Sequence, residues 1–500
     1  MAGVAALALP QLATAGDVEE QMRLMDERMN QMESQLQATQ DELEASKEEV
    51  DRQQEMIQKA GIEREAQSGL QKFLSDTQFS GNVAVSWGWN FNNPNPVIQA
   101  FDSTTAKGDN ARGVDAPRGN SLSPTKGGIN AGALGITAPF QSNHNTFQVD
   151  QVFLSMKKPA TTESRGGFGV DLAWGVSADV NDAVGAAGLG LASGDLSHLY
   201  QAYVEYLAPL GPGFNIKAGR FGRLIGAESF REDEKWTITH GLVWAIQPVN
   251  HTGLMVSMGF ENGLFFDLAA VNSYNNTMKD LDNDKGIMGS FGWQGERFGA
   301  KVSGFYGGNV DEHSIFGLVT AGAGPATSSV GTDRDKIGVI DAVFSFTPSD
   351  RFAAWLNFDW HTTQKSDNSG VDPMRVYALA TAGRFGITES LGFALRYEWM
   401  YIENHPFLFC PAGGCAAGDI GPIFAPAGDD PNAQIMSMTG TFDYALTDNL
   451  MVRAEGRYDW ASADSSPDNF FTSSQVGPGD DDFFTRRDQV LGMVQMLYSF

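Results

Sequence analysis

The sequence predicts an all-β transmembrane barrel of about 16 antiparallel strands, with an N-terminal α-helical coiled-coil segment. Apolar residues recur at every second position in many separate segments. The connections between those segments alternate between long and short, and the region before the first segment has a helical spacing instead. After the first dozen residues, no apolar run approaches the roughly 18 to 20 residues of a transmembrane helix. A membrane-spanning role would therefore have to be a β role.

The two-residue period is clear in residues 79–91, where Val83 and Val85 alternate with small or polar residues such as Ala84. Residues 390–401 repeat the pattern, with opposed charges on the polar face. One face of such a strand suits lipid, and the other suits a wet or crowded interior. A soluble β-sandwich would rarely place opposed charges on the face opposite the apolar one.

The same period predicts sixteen strands. They are expected near residues 79–91, 147–157, 168–176, 198–207, 213–221, 252–260, 263–272, 286–294, 297–307, 337–346, 351–361, 373–384, 390–401, 434–444, 449–460 and 489–500. Long connections such as 92–146 and 222–251 alternate with short ones such as 209–212 and 347–350. Outer-membrane barrels have an even strand count, tight periplasmic turns and long outer loops. The alternation therefore favours such a barrel independently of the period.

The last predicted strand ends on an aromatic residue. Val490, Val494 and Tyr498 share one face up to Phe500. This ending is typical of bacterial outer-membrane barrels that the insertion machinery recognises. It is a third signature of the same fold class.

The N-terminal region is organised differently. Residues 1–15 are predicted to be a signal peptide remnant, because they are apolar and end in Ala13-Thr14-Ala15, although no basic residue precedes the apolar core. Residues 16–60 are expected to form a periplasmic coiled-coil stem, residues 61–78 a linker and residues 79–500 the barrel. From Val18 to Ile57, nine of twelve positions in a four-three spacing are apolar. That spacing is typical of a coiled-coil seam.

Composition restricts the partners of the protein. The formal net charge is −27, which argues against nucleic acid as a partner. Acidic outer loops permit divalent-cation contacts with lipopolysaccharide, and simple solvation of the loops explains the charge equally well.

Two cysteines, Cys410 and Cys415, are separated by Pro-Ala-Gly-Gly. In an exported protein this spacing predicts a small loop-closing disulfide, and the alternative is two unpaired thiols. The seven histidines show neither an H-x-x-x-H pattern nor a pairing with cysteine. The sequence therefore predicts a protein that is not an enzyme and that has no metal site or cofactor.

Four stretches resemble the OmpL-like β-barrel porin family. They are VDQVFLSMKKP (149–159), IKAGRFGRLIGAE (216–228), PVNHTGLMVS (248–257) and LAAVNSYNN (268–276). The plan of a coiled-coil stem followed by a sixteen-strand barrel also resembles the trimeric DcaP-type porins. The resemblance implies a trimeric diffusion channel in the outer membrane of a Gram-negative bacterium, with the stem in the periplasm. It does not name the solute.

In many porins the third outer loop folds into the barrel and sets an acidic face against a basic wall. Here that loop, residues 222–251, carries Arg223, Glu228, Arg231, Glu232, Asp233 and Glu234. The wall candidates are Lys217, Arg220, Arg396, Arg453 and Arg457, with Glu398 and Glu455 beside them. Opposed charges across a narrow pore bias ion passage. The expected bias favours small anions or carboxylates, and the alternative is that neighbouring charges pair and only hydrate the lumen.

These observations predict an outer-membrane porin for small hydrophilic solutes. The main rival is a structural or adhesive envelope protein that uses the barrel as an anchor, with the stem reaching toward peptidoglycan. The stem contains no recognisable cell-wall-binding repeat, which disfavours the rival.

Overall fold

The structure is a computed structural model. It describes residues 71–92, 145–176, 198–211, 213–272, 274, 285–308, 336–363, 375–403, 432–463 and 487–500, together with isolated positions between residues 37 and 52. The chain forms two compact units, Met1–Asp76 and Thr77–Phe500.

In the first unit, the described positions between residues 37 and 52 are helical, and residues 71–75 form a short helix. Leu43 and Val50, two positions of the predicted seam, are exposed. These positions do not show a coiled coil, so self-association of the stem stays a prediction. Residues 1–15, Cys410 and Cys415 lie outside the described residues. Among the helices that are described, none is both long enough and apolar enough to cross a membrane.

The second unit is a closed antiparallel barrel of sixteen strands. The strands are β1 (Gln78–Asn90), β2 (Thr146–Lys158), β3 (Gly166–Trp174), β4 (Leu199–Ala208), β5 (Phe214–Gly222), β6 (Asn250–Gly259), β7 (Leu264–Val271), β8 (Gly286–Gln294), β9 (Phe298–Gly308), β10 (Lys336–Ser349), β11 (Phe352–Thr363), β12 (Arg375–Gly386), β13 (Leu391–Glu403), β14 (Ala433–Ala445), β15 (Leu450–Ala463) and β16 (Asp488–Ser499). Each strand pairs with its chain neighbours, and β1 closes the ring against β16, with Val85 opposite Met496. The predicted antiparallel barrel and its number of strands are confirmed.

The predicted strand ends differ from the observed ones by a few residues. The largest differences are at the ends of β10 and β15, which extend to Ser349 and Ala463. Backbone pairing continues there past the last residue of the apolar alternation. A period of two in side-chain type therefore locates a strand better than it locates its end.

Alternating side chains face lipid and lumen as the sequence predicts. Val83 and Val85 are exposed on the outer surface of β1, whereas Ala84 and Ser86 are buried on the inner side. The connections also alternate: β10 and β11 join through a tight turn, whereas long connections precede β2 and β10. The end with the tight turns corresponds to the periplasmic side of outer-membrane barrels.

Candidate functional site

The connection between β5 and β6, residues 223–249, turns into the lumen and is called here the inner loop. Strand β4 holds both of its ends. The Gly222 N–H donates to Oε1 of Gln201 at 2.6 Å, and Nδ2 of Asn250 donates to the main-chain oxygen of Tyr200 at 3.1 Å. Gly226 has a φ of +92°, a conformation that favours glycine, and a Cβ there would collide with the side chain of Gln247. The sequence thus provides the bend that the loop requires.

One side of the inner loop is apolar and packs on the barrel wall. Ile225 and the short helix Leu242–Ile246 are buried there. The wall contributes Met255, Ala269, Val271, Met288, Phe305, Ile337, Val339, Val376, Ala378, Ala380, Met400, Ile402, Ile435 and Ala461 to the same cluster. Burying one leucine or isoleucine side chain contributes about 1.5–3 kcal/mol. The barrel therefore has a hydrophobic core inside its lumen, and this core fixes the loop.

Arg396 on β13 anchors the middle of the inner loop. Its Nη1 donates to Oγ1 of Thr237 and to the main-chain oxygen of Thr239, both at 2.8 Å, and to Oε2 of Glu228 at 3.1 Å. Its Nε lies 3.3 Å from Oε2 of Glu398. With these contacts, only 1% of Arg396 is exposed. The Arg396 guanidinium therefore uses its donors on residues of the inner loop.

Two arginines of β15 repeat this arrangement. Arg453 donates to the main-chain oxygens of Lys235 at 2.9 Å and Glu232 at 3.1 Å. Arg457 donates to the main-chain oxygen of His240 at 2.7 Å and to Asp459, also at 2.7 Å. Main-chain oxygens accept hydrogen bonds from the guanidinium groups and carry no net charge of their own. The loop backbone is therefore hydrogen-bonded to β15 at Glu232, Lys235 and His240.

Carboxylates of the same wall accept the loop's main-chain N–H groups. Glu455 accepts from Ile238 at 2.5 Å and from Thr239 at 3.0 Å, while Glu398 accepts from Val243 at 3.1 Å. Buried N–H groups need such partners, because leaving one unsatisfied costs about 1–3 kcal/mol. The alternating Arg and Glu of these strands thus match the alternating C=O and N–H groups of the loop.

The inner loop also bridges the seam where β1 meets β16. Glu232 donates its N–H to Gln151 on β2 at 3.0 Å and accepts from Arg453 and from Gln495 on β16, both at 3.2 Å. Asn82 on β1 donates to Asp233 at 2.9 Å. Although burial alone would raise it, Lys235 and Arg453 hold the pKa of Glu232 below its usual value. The loop is thus bonded to four strands around the seam.

A histidine lies at the centre of the loop's buried polar side. The ring of His240 stacks on Trp244 at a centroid distance of 4.0 Å, and Nδ1 lies 2.8 Å from Oε1 of Glu228. Burial and the nearby Lys235 hold the pKa of His240 well below its usual range. The guanidinium carbon of Arg223 lies 5.1 Å from the centre of the same Trp244 ring. The surroundings of His240 thus favour its neutral form.

The opposite edge of the loop contacts the strands after β8. Lys301 on β9 donates to the main-chain oxygen of Leu224 at 2.6 Å. Asn357 on β11 accepts from the Ala227 N–H and from Nε2 of Gln247, both at 3.1 Å. The loop therefore spans the lumen from β9 to β2.

On the wall formed by β4, β5 and β7, five inward side chains keep solvent exposure, whereas Phe221, Ala269 and Val271 are buried. These side chains are Tyr203, Glu205, Asn215, Lys217 and Asp267. The corresponding residues of β13 to β16, among them Arg396, Thr439, Glu455 and Gln495, are buried. The Lys217 ammonium lies 4.1 Å from the centre of the Tyr203 ring. Within the described part of the chain, no oxygen is bonded to it. Part of the solvated lumen therefore lies beside β4, β5 and β7.

Comparison with known proteins supplies the family. A family model described as "Putative beta-barrel porin-2, OmpL-like" matches residues 123–500, which is most of the barrel and more than half of the chain. The chain belongs to this porin family. Membership places it in the outer membrane of Gram-negative bacteria, among porins, which are not enzymes. No curated protein matches the sequence.

Several solved structures are similar in shape to this porin-family chain. The outer membrane channel DcaP of Acinetobacter baumannii is 10% identical, with a TM-score of 0.45, over 85% of this chain and 97% of that one. OprB of Pseudomonas putida is 12% identical, with a TM-score of 0.45, over 86% and 96%. The trimer form of OmpT, an outer membrane protein of Vibrio cholerae, is 7% identical, with a TM-score of 0.48, over 85% and 99%. These likenesses are too low to bear on function.

The predicted constriction residues of this porin occupy two different environments. Glu228 and Glu232 contact Arg396 and Arg453 directly. Arg231 pairs within the loop, with Asp233 at 2.6 Å and with Glu234 at 3.4 Å. The two remaining wall candidates, Lys217 and Arg220, lie on β5. The acidic residues Glu228 and Glu232 of the loop therefore lie against arginines of the wall. That these residues form the constriction of a pore stays a prediction.

Sequence reasoning missed the apolar docking of the inner loop. A signal was present in β12, where Val376 and Ala378 face inward while Tyr377 and Leu379 face outward. A strand that is apolar on both faces indicates that something apolar covers the inner one. The acceptor role of Glu398 and Glu455 had no such signal, because nothing local marks a carboxylate as a partner of distant N–H groups.

Proposed function

We propose that the protein is a porin through which small hydrophilic solutes diffuse passively along the wall formed by β4, β5 and β7. The observation that carries this proposal is the contrast in exposure around the lumen. Arg396, Arg453 and Arg457 are 1–2% exposed, because the inner loop covers them. Several inward residues of β4 and β5, among them Glu205 and Lys217, are only partly covered. The loop thus narrows the lumen and displaces the path to one side.

We further propose that Lys217 gives this path a local preference for small anions, including carboxylates. Glu205 is already bonded to Nδ2 of Asn215 at 3.0 Å and to the Ala160 N–H at 2.8 Å. Asp267 accepts a hydrogen bond from Ser290 at 2.5 Å. The Lys217 ammonium has no hydrogen bond or ion pair among the described residues and lies over the ring of Tyr203, although Glu205 is its cross-strand neighbour. It therefore keeps donors for a passing anion, whereas the buried arginines use theirs on the loop.

The test of passive diffusion is conductance of the purified protein in a planar bilayer. A large, steady conductance is expected, together with swelling of liposomes in small sugars, amino acids and dicarboxylates. A barrel that carries no current would favour the rival function, an envelope anchor filled by its own loop.

The test of selectivity is the reversal potential in a salt gradient for Lys217→Gln. One charge at a distance of about 8 Å in water is worth about 0.5 kcal/mol, so the anion-to-cation permeability ratio should fall about twofold. Arg297→Gln removes the same charge from a turn outside the lumen and is the matched control. Equal ratios in both variants and the wild type would mean that Lys217 does not set selectivity.

The larger assembly belongs to the same proposal. The protein is proposed to form a homotrimer, with the segment 16–60 as a periplasmic coiled-coil stem that reaches toward peptidoglycan. The barrel would contact outer-membrane lipid and lipopolysaccharide. Cross-linking of the full chain and of a chain lacking residues 16–60 tests the stem, since the truncated barrel should still insert and conduct.

A further inference from the structure

Two buried aspartates face each other beneath one edge of the inner loop. Asp341 on β10 and Asp359 on β11 lie directly opposite each other in the strand pairing, and neither is exposed to solvent. Their carboxyl groups lie within hydrogen-bonding distance of each other. An ionised carboxylate only accepts hydrogen bonds, so two ionised groups cannot form this bond. The contact requires a proton on one of the two carboxyls.

Asn357 joins the aspartate pair to the loop. Its Nδ2 donates to Oδ2 of Asp341 at 2.5 Å and to Oδ1 of Asp359 at 2.9 Å. Its Oδ1 accepts from the Ala227 N–H and from Nε2 of Gln247, both at 3.1 Å. The amide therefore uses both of its donors on the carboxyls and its acceptor on the loop. Reversing the amide would place its NH₂ against the donors of the loop, so its direction is fixed.

The two carboxyls have different partners. Asp359 accepts two hydrogen bonds, from Asn357 and from Nε2 of Gln247 at 2.8 Å. Asp341 accepts one, from Asn357, and its Oδ1 is buried without a donor from the described part of the chain. Hydrogen bonds donated to a carboxylate favour its ionised form. The proton therefore belongs on Asp341, which can donate it to Asp359.

Other ionisable groups near the pair come from β7, β9, β11 and the loop. Lys301 on β9 and Arg223 of the loop both donate to main-chain oxygens of the loop, so their charges offset the negative charge of the pair from nearby. Nε2 of His361 lies 3.4 Å from Oδ2 of Asp359, and Nδ1 of His361 lies 3.4 Å from the Tyr274 hydroxyl. In the same row of side chains, Asp267 lies three strands away.

We propose that Asp341 and Asp359 share one proton, and that this proton holds the edge of the inner loop on β10 and β11. With the proton present, the pair carries one negative charge, and Asn357 is oriented toward Ala227 and Gln247. When hydroxide removes the proton, two negative charges face each other in a buried site, which is strongly unfavourable. Separation of the two carboxyls then breaks the bonds of Asn357. This edge of the loop therefore undocks under alkaline conditions, whether or not the lumen conducts.

The direct test is infrared difference spectroscopy of the detergent-solubilised full-length protein. A protonated carboxylic acid has a C=O stretching band that a carboxylate lacks. The wild type should show this band at neutral pH and lose it as the pH rises, and Asp341→Asn should lack it. Asp443→Asn makes the same replacement at a buried carboxylate that pairs with Arg384, so it is the matched control and should keep the band. Identical spectra of the wild type and Asp341→Asn would overturn the shared proton.

The effect on the loop is measured by trypsin cleavage after Arg231 and Lys235, relative to cleavage of a free peptide at the same pH. Buried carboxyls can keep a proton up to about pH 8 to 9. Once the proton is lost, cleavage of the wild type should increase by up to about tenfold per pH unit. Asp341→Asn has a carboxamide that donates to Asp359 at any pH, so its loop should stay protected throughout.

Asp359→Asn loses one of the two acceptors that hold Asn357 and Gln247, so its loop should be cleaved faster than that of the wild type already at neutral pH. Heat resistance of the barrel on gels shows that each variant is folded. Equal cleavage of the wild type and Asp341→Asn at alkaline pH would overturn the proton as the holding contact. Protection of Asp359→Asn equal to that of the wild type would overturn the assignment of the proton to Asp341.

Discussion

Nη2 of Arg453 lies 3.1 Å from the main-chain oxygen and 3.2 Å from Oε2 of Glu232, two residues that are more than two hundred positions apart in the sequence. This pair joins β15 to the inner loop where both side chains are excluded from solvent. Removing one member leaves the other buried with an incomplete set of partners. Such a loss typically costs about 3–5 kcal/mol.

The variant Arg453→Met is therefore expected to release the loop. Single-channel records should show larger and noisier currents than the wild type, because the loop would leave the lumen for part of the time. Adding Glu232→Gln to Arg453→Met should not restore the steady current, because Glu232 also binds Lys235 at 2.7 Å and this buried lysine would lose its carboxylate. If Arg453→Met alone leaves the current trace unchanged, Arg453 does not anchor the loop.

Gly241→Ala should displace the loop by steric conflict. A Cβ at Gly241 would collide with the carboxylate of Glu398, which accepts the Val243 N–H. Overpacking of this kind costs about 1–3 kcal/mol. Gly456→Ala is the matched control, because a Cβ there meets nothing within 4 Å. Increased current noise in the first variant and none in the second is the expected result, and equal behaviour would place Gly241 away from Glu398.

The apolar docking of the loop should be measurable by truncating its short helix. Leu242→Ala and Ile246→Ala each remove a fully buried side chain, at a cost of about 2–5 kcal/mol. Both should increase proteolysis within residues 223–249 without unfolding the barrel. The control is Leu254→Ala, at a position that is 50% exposed on the lipid-facing side. It should change neither the proteolysis of the loop nor the folding of the barrel. If both helix variants resist proteolysis as well as the wild type does, the helix is not docked on the wall.

Acidification is expected to weaken loop docking. The pKa of buried His240 is lowered from its ordinary value of 6.5, so the undocked loop binds a proton that the docked loop excludes. The free energy of loop docking therefore does not change above pH 6.5 through this group. Below pH 6.5, docking is destabilised by up to about 1.4 kcal/mol per pH unit. The lowered pKa of Glu232 adds a second loss below 4.5. Current noise should rise from pH 6.5 downward in the wild type, and His240→Gln should lack this first phase.

The fold could be predicted from sequence because a barrel strand records its two environments locally. Val83 and Ala84 differ in type because one faces lipid and the other faces the lumen. The position of the inner loop could not be predicted in this way. Its anchors, such as Arg396 with Thr239, are contacts between residues separated by 157 positions, and no period in the sequence records such a pairing. The charges of the site were visible, but which of them neutralise one another was not.

The bonds between the inner loop and the seam have a consequence for assembly. Asn82 and Gln495 lie on the first and last strands, and both bind the segment Glu232–Asp233 from the middle of the chain. A barrel in which β1 has not yet met β16 cannot offer this segment all of its partners together. Ring closure and loop docking therefore reinforce each other as one cooperative event. The inner loop therefore enters the lumen as the barrel closes, and the membrane does not contain a barrel with an unobstructed pore.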